Sequence, residues 1–229
     1  MTCDQILRKL RSLADPDVVT GMARFGIKAP SAYGISVPEL RRIAKEAGED
    51  RLLAQELWAS GIHEARILAS MIDDPDQVTE SQMERWVKDF DAWDVCDGCC
   101  SNLFDKTKFA YQKAIEWSER DGEFIKRSGF VLMATLAVHD KQATDTPFIQ
   151  FLPVIQREAS DGRNFVKKAV NWALRQIGKR NPCLNQMAIN TAVRIQGIHS
   201  KSAKWIASDA LRELTSAAVQ ARLRKATVR

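Results

Sequence analysis

No stretch of this 229-residue chain is continuously apolar for the roughly 18 residues that a membrane-spanning helix needs. The start, Met1-Thr2-Cys3-Asp4-Gln5, carries an acid and lacks the basic-then-apolar order of a secretory leader. A cytoplasmic location is therefore the default expectation. There is no phosphate-binding glycine loop, no HExxH and no nucleophile elbow, so P-loop, zinc-protease and serine-hydrolase chemistries have no motif to rest on. Alternation of the β kind is missing as well. Cysteine is sparse and odd in number: Cys3, Cys96, Cys99, Cys100 and Cys183. That count argues against a secreted disulfide framework. Cys96-x-x-Cys99 invites a zinc or redox reading, but no second CxxC exists and His63, His139 and His199 are scattered. Ordinary reduced thiols are expected rather than a metal site.

What is present is a soluble-type composition, 45% hydrophobic and 28% charged, enough for one large domain or a short solenoid. The net charge of +5 hides a split. Residues 1–121 carry 16 basic and 22 acidic side chains, while residues 122–229 carry 18 basic and 7 acidic. A half with that excess of Lys and Arg suits a polyanion partner, although a solvated basic surface is the plain alternative.

Apolar residues recur at helical spacing along almost the whole chain. Ile6, Leu7, Leu10 and Leu13 begin the series. Asp15-Pro16 opens a second helix, and Ser36-Val37-Pro38-Glu39 reads as a helix start with a capping box. Further helices are expected over 51–59, 62–72, 80–90, 92–104, 108–120, 122–138, 146–159, 162–179, 183–196, 200–213 and 216–223. The fold class is all-α. The pattern also repeats. Phe124-Ile-Lys-Arg-Ser-Gly-Phe-Val-Leu-Met-Ala-Thr-Leu136 resembles Phe165-Val-Lys-Lys-Ala-Val-Asn-Trp-Ala-Leu-Arg-Gln-Ile177 at an offset of 41, and Ala210-Leu211-Arg212 echoes Ala173-Leu174-Arg175 at an offset of 37. Periods near 40 with two helices per unit suggest a HEAT- or armadillo-type α-α superhelix. A single domain over 1–229, with a concave basic face, is the expected organisation.

Two constellations carry chemistry. Within 164–180 one face is apolar, and another bears Lys168, Trp172, Arg175 and Lys179 at spacings of four, three and four, with no acid in the segment. A basic row with one tryptophan suits a phosphate backbone plus a π surface for a sugar or base. The other reading is a solvated face anchored by a half-buried tryptophan. The second constellation is Trp93-Asp94-Val95-Cys96-Asp97. Trp93 and Asp97 lie one helical turn apart on one face. A carboxylate beside a ring face is matched to a developing cation, whereas Asp91 or Asp94 can equally serve the start of a helix. His63-Glu64-Ala65-Arg66 reads as a helix start with inter-helix pairing, and Trp58, Trp86 and Trp117 fall on apolar stripes. The basic tail Arg222, Arg224, Lys225 and Arg229 either touches DNA or is a solvated end.

An ordered set of motifs then points to a family. They are Met22-Ala23-Arg24-Phe25, Gly34-Ile35-Ser36-Val37-Pro38-Glu39-Leu40-Arg41-Arg42, Glu56-Leu57-Trp58, Trp93-Asp94-Val95-Cys96-Asp97, Lys126-Arg127-Ser128 and Val166-Lys167-Lys168-Ala169-Val170-Asn171-Trp172-Ala173-Leu174-Arg175. In order and spacing, over roughly 20–180, the chain resembles the DNA alkylation repair family, the AlkD-type HEAT-like-repeat alkylpurine DNA glycosylases. The resemblance implies Asp97 as the catalytic aspartate, and Trp93 and Trp172 as the aromatic residues of the active site. It implies Arg127, Arg175 and Lys179 as residues near the DNA backbone. Phe25 stands where some members have tyrosine, which keeps the ring and removes a hydroxyl. The implied activity is hydrolysis of the N-glycosidic bond of cationic alkylated purines in double-stranded DNA, with no metal or organic cofactor needed. No lysine is placed as a Schiff-base nucleophile, so no lyase step is expected, and a monomer is the simplest expectation for a solenoid on a duplex. A non-catalytic scaffold for distorted or branched DNA and a HEAT-type protein–protein adaptor are the rivals.

Overall fold

A computed structural model describes residues 1–27 and 30–227, and the described residues are helical with no strand. The chain forms two compact units, Met1–Lys108 and Phe109–Arg229. Arg229, expected in the basic tail, lies outside the described residues. No described helix is long and apolar enough to cross a membrane.

The first unit holds α1 (Cys3–Ser12), α2 (Pro16–Met22), a 3-10 turn (Ala23–Phe25), α3 (Val37–Ala47), α4 (Arg51–Ala59), α5 (His63–Ile72), α6 (Glu80–Lys88), α7 (Trp93–Asn102) and a second 3-10 turn (Phe104–Lys106). Helix α5 is its centre and packs against α3, α4 and α7. The expected tryptophans are core residues: Trp58 and Trp86 are buried and stack with centroids 3.9 Å apart, nearly parallel. The Trp58 indole N–H still needs an acceptor in the interior and finds Asp89 Oδ2 at 2.8 Å.

The second unit holds α8 (Ala110–Ser118), α9 (Glu123–His139), α10 (Thr146–Glu158), α11 (Asn164–Gly178), α12 (Pro182–Gln196), α13 (Lys201–Leu214) and α14 (Ala217–Thr227). Helix α9 packs on α8 and α11, and α11 packs in turn on α12 and α13. The repeat read from the sequence is physical here. Phe124 and Phe165, equivalent at the offset of 41, pack against each other as tilted rings with centroids 5.5 Å apart. At Gly129 a β-carbon would lie 2.5 Å from the Ser118 backbone nitrogen, so α8 and α9 approach too closely for any side chain there.

Helix starts follow local chemistry, with one correction. Asp15 caps α2 through the N–H groups of Asp17 and Val18, and Asn181 caps α12 through Leu184, each ahead of a first-turn proline. Ser36 has the extended backbone of a cap residue but makes no side-chain capping bond. Glu39, expected to complete its box, is instead bonded to Arg42. The reciprocal box forms at Thr2 and Gln5, at the start of α1. A nearby guanidinium competes better for a carboxylate than one backbone N–H.

Candidate catalytic face and nucleic-acid interface

In the first unit the chain enters α7 through an extended Ala92 with no side-chain cap. Arg66 holds that entry by donating to the Asp89 carbonyl at 2.9 Å. Helix α7 buries Val95, Cys96, Cys99 and Cys100, so helical geometry leaves Trp93, Asp94 and Asp97 on the half-buried side. Trp93 and Asp97 thus share the face that the core does not use. The Trp93 indole N–H donates to the Phe25 carbonyl at 3.1 Å. This bond ties the Ala23–Phe25 turn to the start of α7. The Phe25 ring is 71% exposed, an uncommon position for a large apolar side chain. Three candidates named from the sequence are therefore connected: Phe25 is bonded through its backbone to Trp93, and Asp97 follows one turn later.

The neighbouring acid, Asp94, has a structural use. Its Oδ2 lies 2.8 Å from His63 Nε2. His63 is buried, and its Nδ1 has no hydrogen-bond partner among the described residues. Burial alone pushes the imidazole towards neutrality. The hydrogen bond and charge of Asp94, with Glu64 and Asp91 beyond it, outweigh burial and raise its pKa above the ordinary value. A raised folded-state pKa contributes stability that is complete below the unfolded value of about 6.5 and is lost as pH rises through the folded value. We expect the difference in urea midpoint between wild type and His63→Gln to narrow from about pH 6 to about pH 8.5. A difference that stays constant across that range removes the His63 charge from the stability of this unit.

The cysteine cluster sits on the other side of α7. Cys96, Cys99 and Cys100 are fully buried and carry no disulfide. Burial pushes the Cys99 and Cys100 thiols well up, which suppresses the thiolate that redox chemistry requires. Among the described residues no group of three or more His, Cys, Asp or Glu side chains is arranged to hold a metal ion.

In the second unit α11 presents the expected row. Val166, Ala169, Val170, Ala173, Leu174 and Ile177 are buried, while Lys168 is exposed and Trp172, Arg175 and Lys179 are half-buried. The Trp172 indole has no hydrogen bond, and Lys168 no ion pair, among the described residues. The row is less positive than its own segment implies. Arg175 and Lys179 both pair with Glu213 of α13, Lys179 at 2.6 Å, and Arg175 lies 3.6 Å from Asp209. Burial would push the Glu213 carboxyl up, but the two cations outweigh it and hold it below the usual range. The freedom from acid in 164–180 is thus offset by α13. Asp209 also accepts from Asn171 Nδ2 at 2.7 Å.

Arg127 is buried in α9, and its Nη1 donates to the Phe165 carbonyl at 2.6 Å. This bond fixes the first turn of α11. Its neighbour Lys126 pairs with Glu158 at 2.7 Å. Asp209 and Glu213 of α13 are not among the residues expected at this face, whereas Lys167 and Arg180 are expected to add to it. Arg180 donates to the carbonyls of Ala137, Asp140 and Ala143 and lies 4.0 Å over the Phe148 ring.

A sequence model of the DNA alkylation repair enzyme family matches residues 6–214. A solved structure described as "A new family of proteins related to the HEAT-like repeat DNA glycosylases with affinity for branched DNA structures" is similar to this chain with a TM-score of 0.79 and 19% identity, over 97% of this chain and 96% of the other. The all-α, HEAT-like repeat fold is therefore the fold present. No curated protein sequence matches the chain.

Proposed function

Because the chain belongs to the DNA alkylation repair enzyme family, we propose that it binds double-stranded DNA and hydrolyses the N-glycosidic bond of cationic alkylated purines such as 3-methyladenine and 7-methylguanine. The observation that carries the proposal is the α7 face. An aromatic ring and a carboxylate one turn apart stay out of the core, beside an exposed phenylalanine tied to that ring.

The chemistry follows from the substrate. Methylation of a ring nitrogen leaves the base positively charged, so it departs without a general acid. As the C1′–N bond breaks, its electron pair stays with the base and neutralises it, and positive charge moves to the deoxyribose. An ionised Asp97 stabilises that oxocarbenium ion by Coulomb attraction in a partly desolvated setting. Water then bonds to C1′ and gives up a proton to solvent. Trp93 supplies a π face to the sugar. In the second unit Lys168, Arg175 and Lys179 serve the phosphate backbone and Trp172 offers a second ring, with Arg127 positioning the helix that carries them. Two of these cations already have Glu213, so DNA binding exchanges one anion for another. Lys168, with no such partner among the described residues, gives the largest gain on meeting a phosphate.

The direct test is release of methylated purine from alkylated duplex DNA by the purified chain. Release above the spontaneous rate, with no strand cleavage by the protein, is the expected result. Tight duplex binding with no release sinks the enzyme reading. Failure to bind duplex at low salt sinks the nucleic-acid reading as well. Affinity should fall steeply with salt, since each neutralised phosphate releases counterions.

A further inference from the structure

A groove of about 540 Å³ opens in the second unit beside the C-terminal ends of α9 and α11. Among the described residues four cations line it, Lys141, Lys179, Arg180 and Arg222, against a single carboxylate, Asp145. They come from separate segments: the α9–α10 connection, the end of α11, the entry to α12, and α14.

The charges differ in how they are compensated. Arg180 is fixed in place by the carbonyls of Ala137, Asp140 and Ala143 at 2.8–3.1 Å, and Arg222 donates to the Lys179 carbonyl at 2.8 Å. Carbonyl oxygens orient a guanidinium without cancelling its charge. Lys141 is exposed and has no ion pair among the described residues. Lys179 alone among the four is paired, with Glu213. The nearby Asp140 carboxylate accepts from the Tyr111 hydroxyl at 2.9 Å and from the backbone N–H groups of Gln142 and Ala143; burial would push it up, but these bonds and the charge of Arg180 hold it below the usual range, so Arg180 is partly compensated. Other arginines of this unit are neutralised: Arg157 by Glu119 and Glu158, and Arg163 by Asp161.

Two helix starts border the groove through Asp145 and Asn181. Asp145 precedes α10, yet its side chain makes no capping bond, because Oδ1 accepts from Asn181 Nδ2 at 2.7 Å. Asn181 caps α12 through the Leu184 N–H, so of the two it is the first turn of α10 that has no side-chain cap, and the Asp145 carboxylate offsets part of its positive end. Among the described residues no aromatic ring lines the groove, so a base finds no stacking surface there. Cations without a stacking surface recognise phosphate rather than base.

We propose that this groove is a phosphate-binding site that continues the α11 row past its C-terminal end and grips the phosphodiester backbone of DNA. The inference rests on the DNA-binding reading above and extends the protein's footprint to Lys141 and Arg222. Such a contact is independent of base sequence and sensitive to salt.

The test uses the full chain with the substitutions Lys141→Ala and Arg222→Gln combined, and Lys141→Glu alone as a second variant. Both side chains are exposed, and unchanged circular dichroism confirms the fold. Binding to undamaged duplex of about two helical turns is followed by fluorescence anisotropy across a salt series. The double variant should bind about tenfold more weakly at physiological salt, and its log–log salt slope should shrink by about two. Lys141→Glu should also weaken binding. Affinity and slope equal to wild type in both variants overturn the groove while leaving the main reading intact. Wild type that binds no duplex overturns both. A third arm titrates inorganic tripolyphosphate by calorimetry. If the double variant loses tripolyphosphate binding but keeps its DNA affinity, the groove takes free phosphate and the proposal is overturned.

Discussion

Asp97→Asn is expected to slow release of 7-methylguanine from alkylated duplex by about 10²- to 10³-fold, with duplex binding as tight as wild type or tighter. The substitution keeps shape and hydrogen-bonding capacity and removes one negative charge. In the proposed reaction the leaving group is already cationic, which leaves stabilisation of charge on the sugar as the part assigned to Asp97. Losing the carboxylate therefore falls on the barrier, by roughly 3–4 kcal/mol on the scale of other electrostatic stabilisers. Binding should move the other way, because an acid near a polyanion opposes association. Slower release with unweakened binding separates this role from structural damage, which weakens both. Single-turnover release and anisotropy on the same preparation make the comparison. Release at the wild-type rate by Asp97→Asn eliminates the carboxylate from the chemistry.

The local part of this reading was legible in the residues themselves. Helix positions follow from apolar spacing, and the sharing of one α7 face by Trp93 and Asp97 follows from 3.6 residues per turn. So does the order Lys168, Trp172, Arg175, Lys179 on α11. What the sequence concealed was pairing between repeats. In the first unit Tyr33 meets Glu64, Trp58 meets Asp89 and His63 meets Asp94, each 31 residues apart. In the second, Arg127 meets Phe165, Asn171 meets Asp209 and Arg175 meets Glu213, each 38 apart. Each pair joins segments far apart in the sequence at an interval that differs from the apolar repeat. Apolar similarity located the repeats at offsets of 41 and 37, but polar side chains reach across at their own register. A segment scanned alone for acids therefore looks more basic than it is. The same blindness placed a capping box at Ser36, where the local pattern fits but Arg42 takes Glu39.

Glu64→Ala should be among the most destabilising single changes in the first unit. Glu64 is 1% exposed in the first turn of α5, and its carboxylate accepts from the backbone N–H groups of Tyr33, Gly34 and Ile35 at 2.7–3.3 Å. Truncation leaves those donors without their acceptor, at a cost of about 2–4 kcal/mol after partial relaxation. At about 2–4 °C per kcal/mol for a chain of this size, the melting temperature should fall by roughly 5–15 °C. The segment has little room to relax. Gly34 has φ +79°, and the Tyr33 carbonyl accepts from Asp15, which caps α2. Helix α2 runs into the Ala23–Phe25 turn, whose last carbonyl takes the Trp93 indole N–H. One buried carboxylate thus supports, through four short steps, the aromatic side of the face that carries Asp97. Base release should consequently decline in Glu64→Ala even at temperatures where the protein remains folded. Glu64→Gln retains an accepting oxygen and should recover part of both losses. A melting temperature in Glu64→Ala equal to wild type would show that the Tyr33–Ile35 segment is held by something other than this carboxylate.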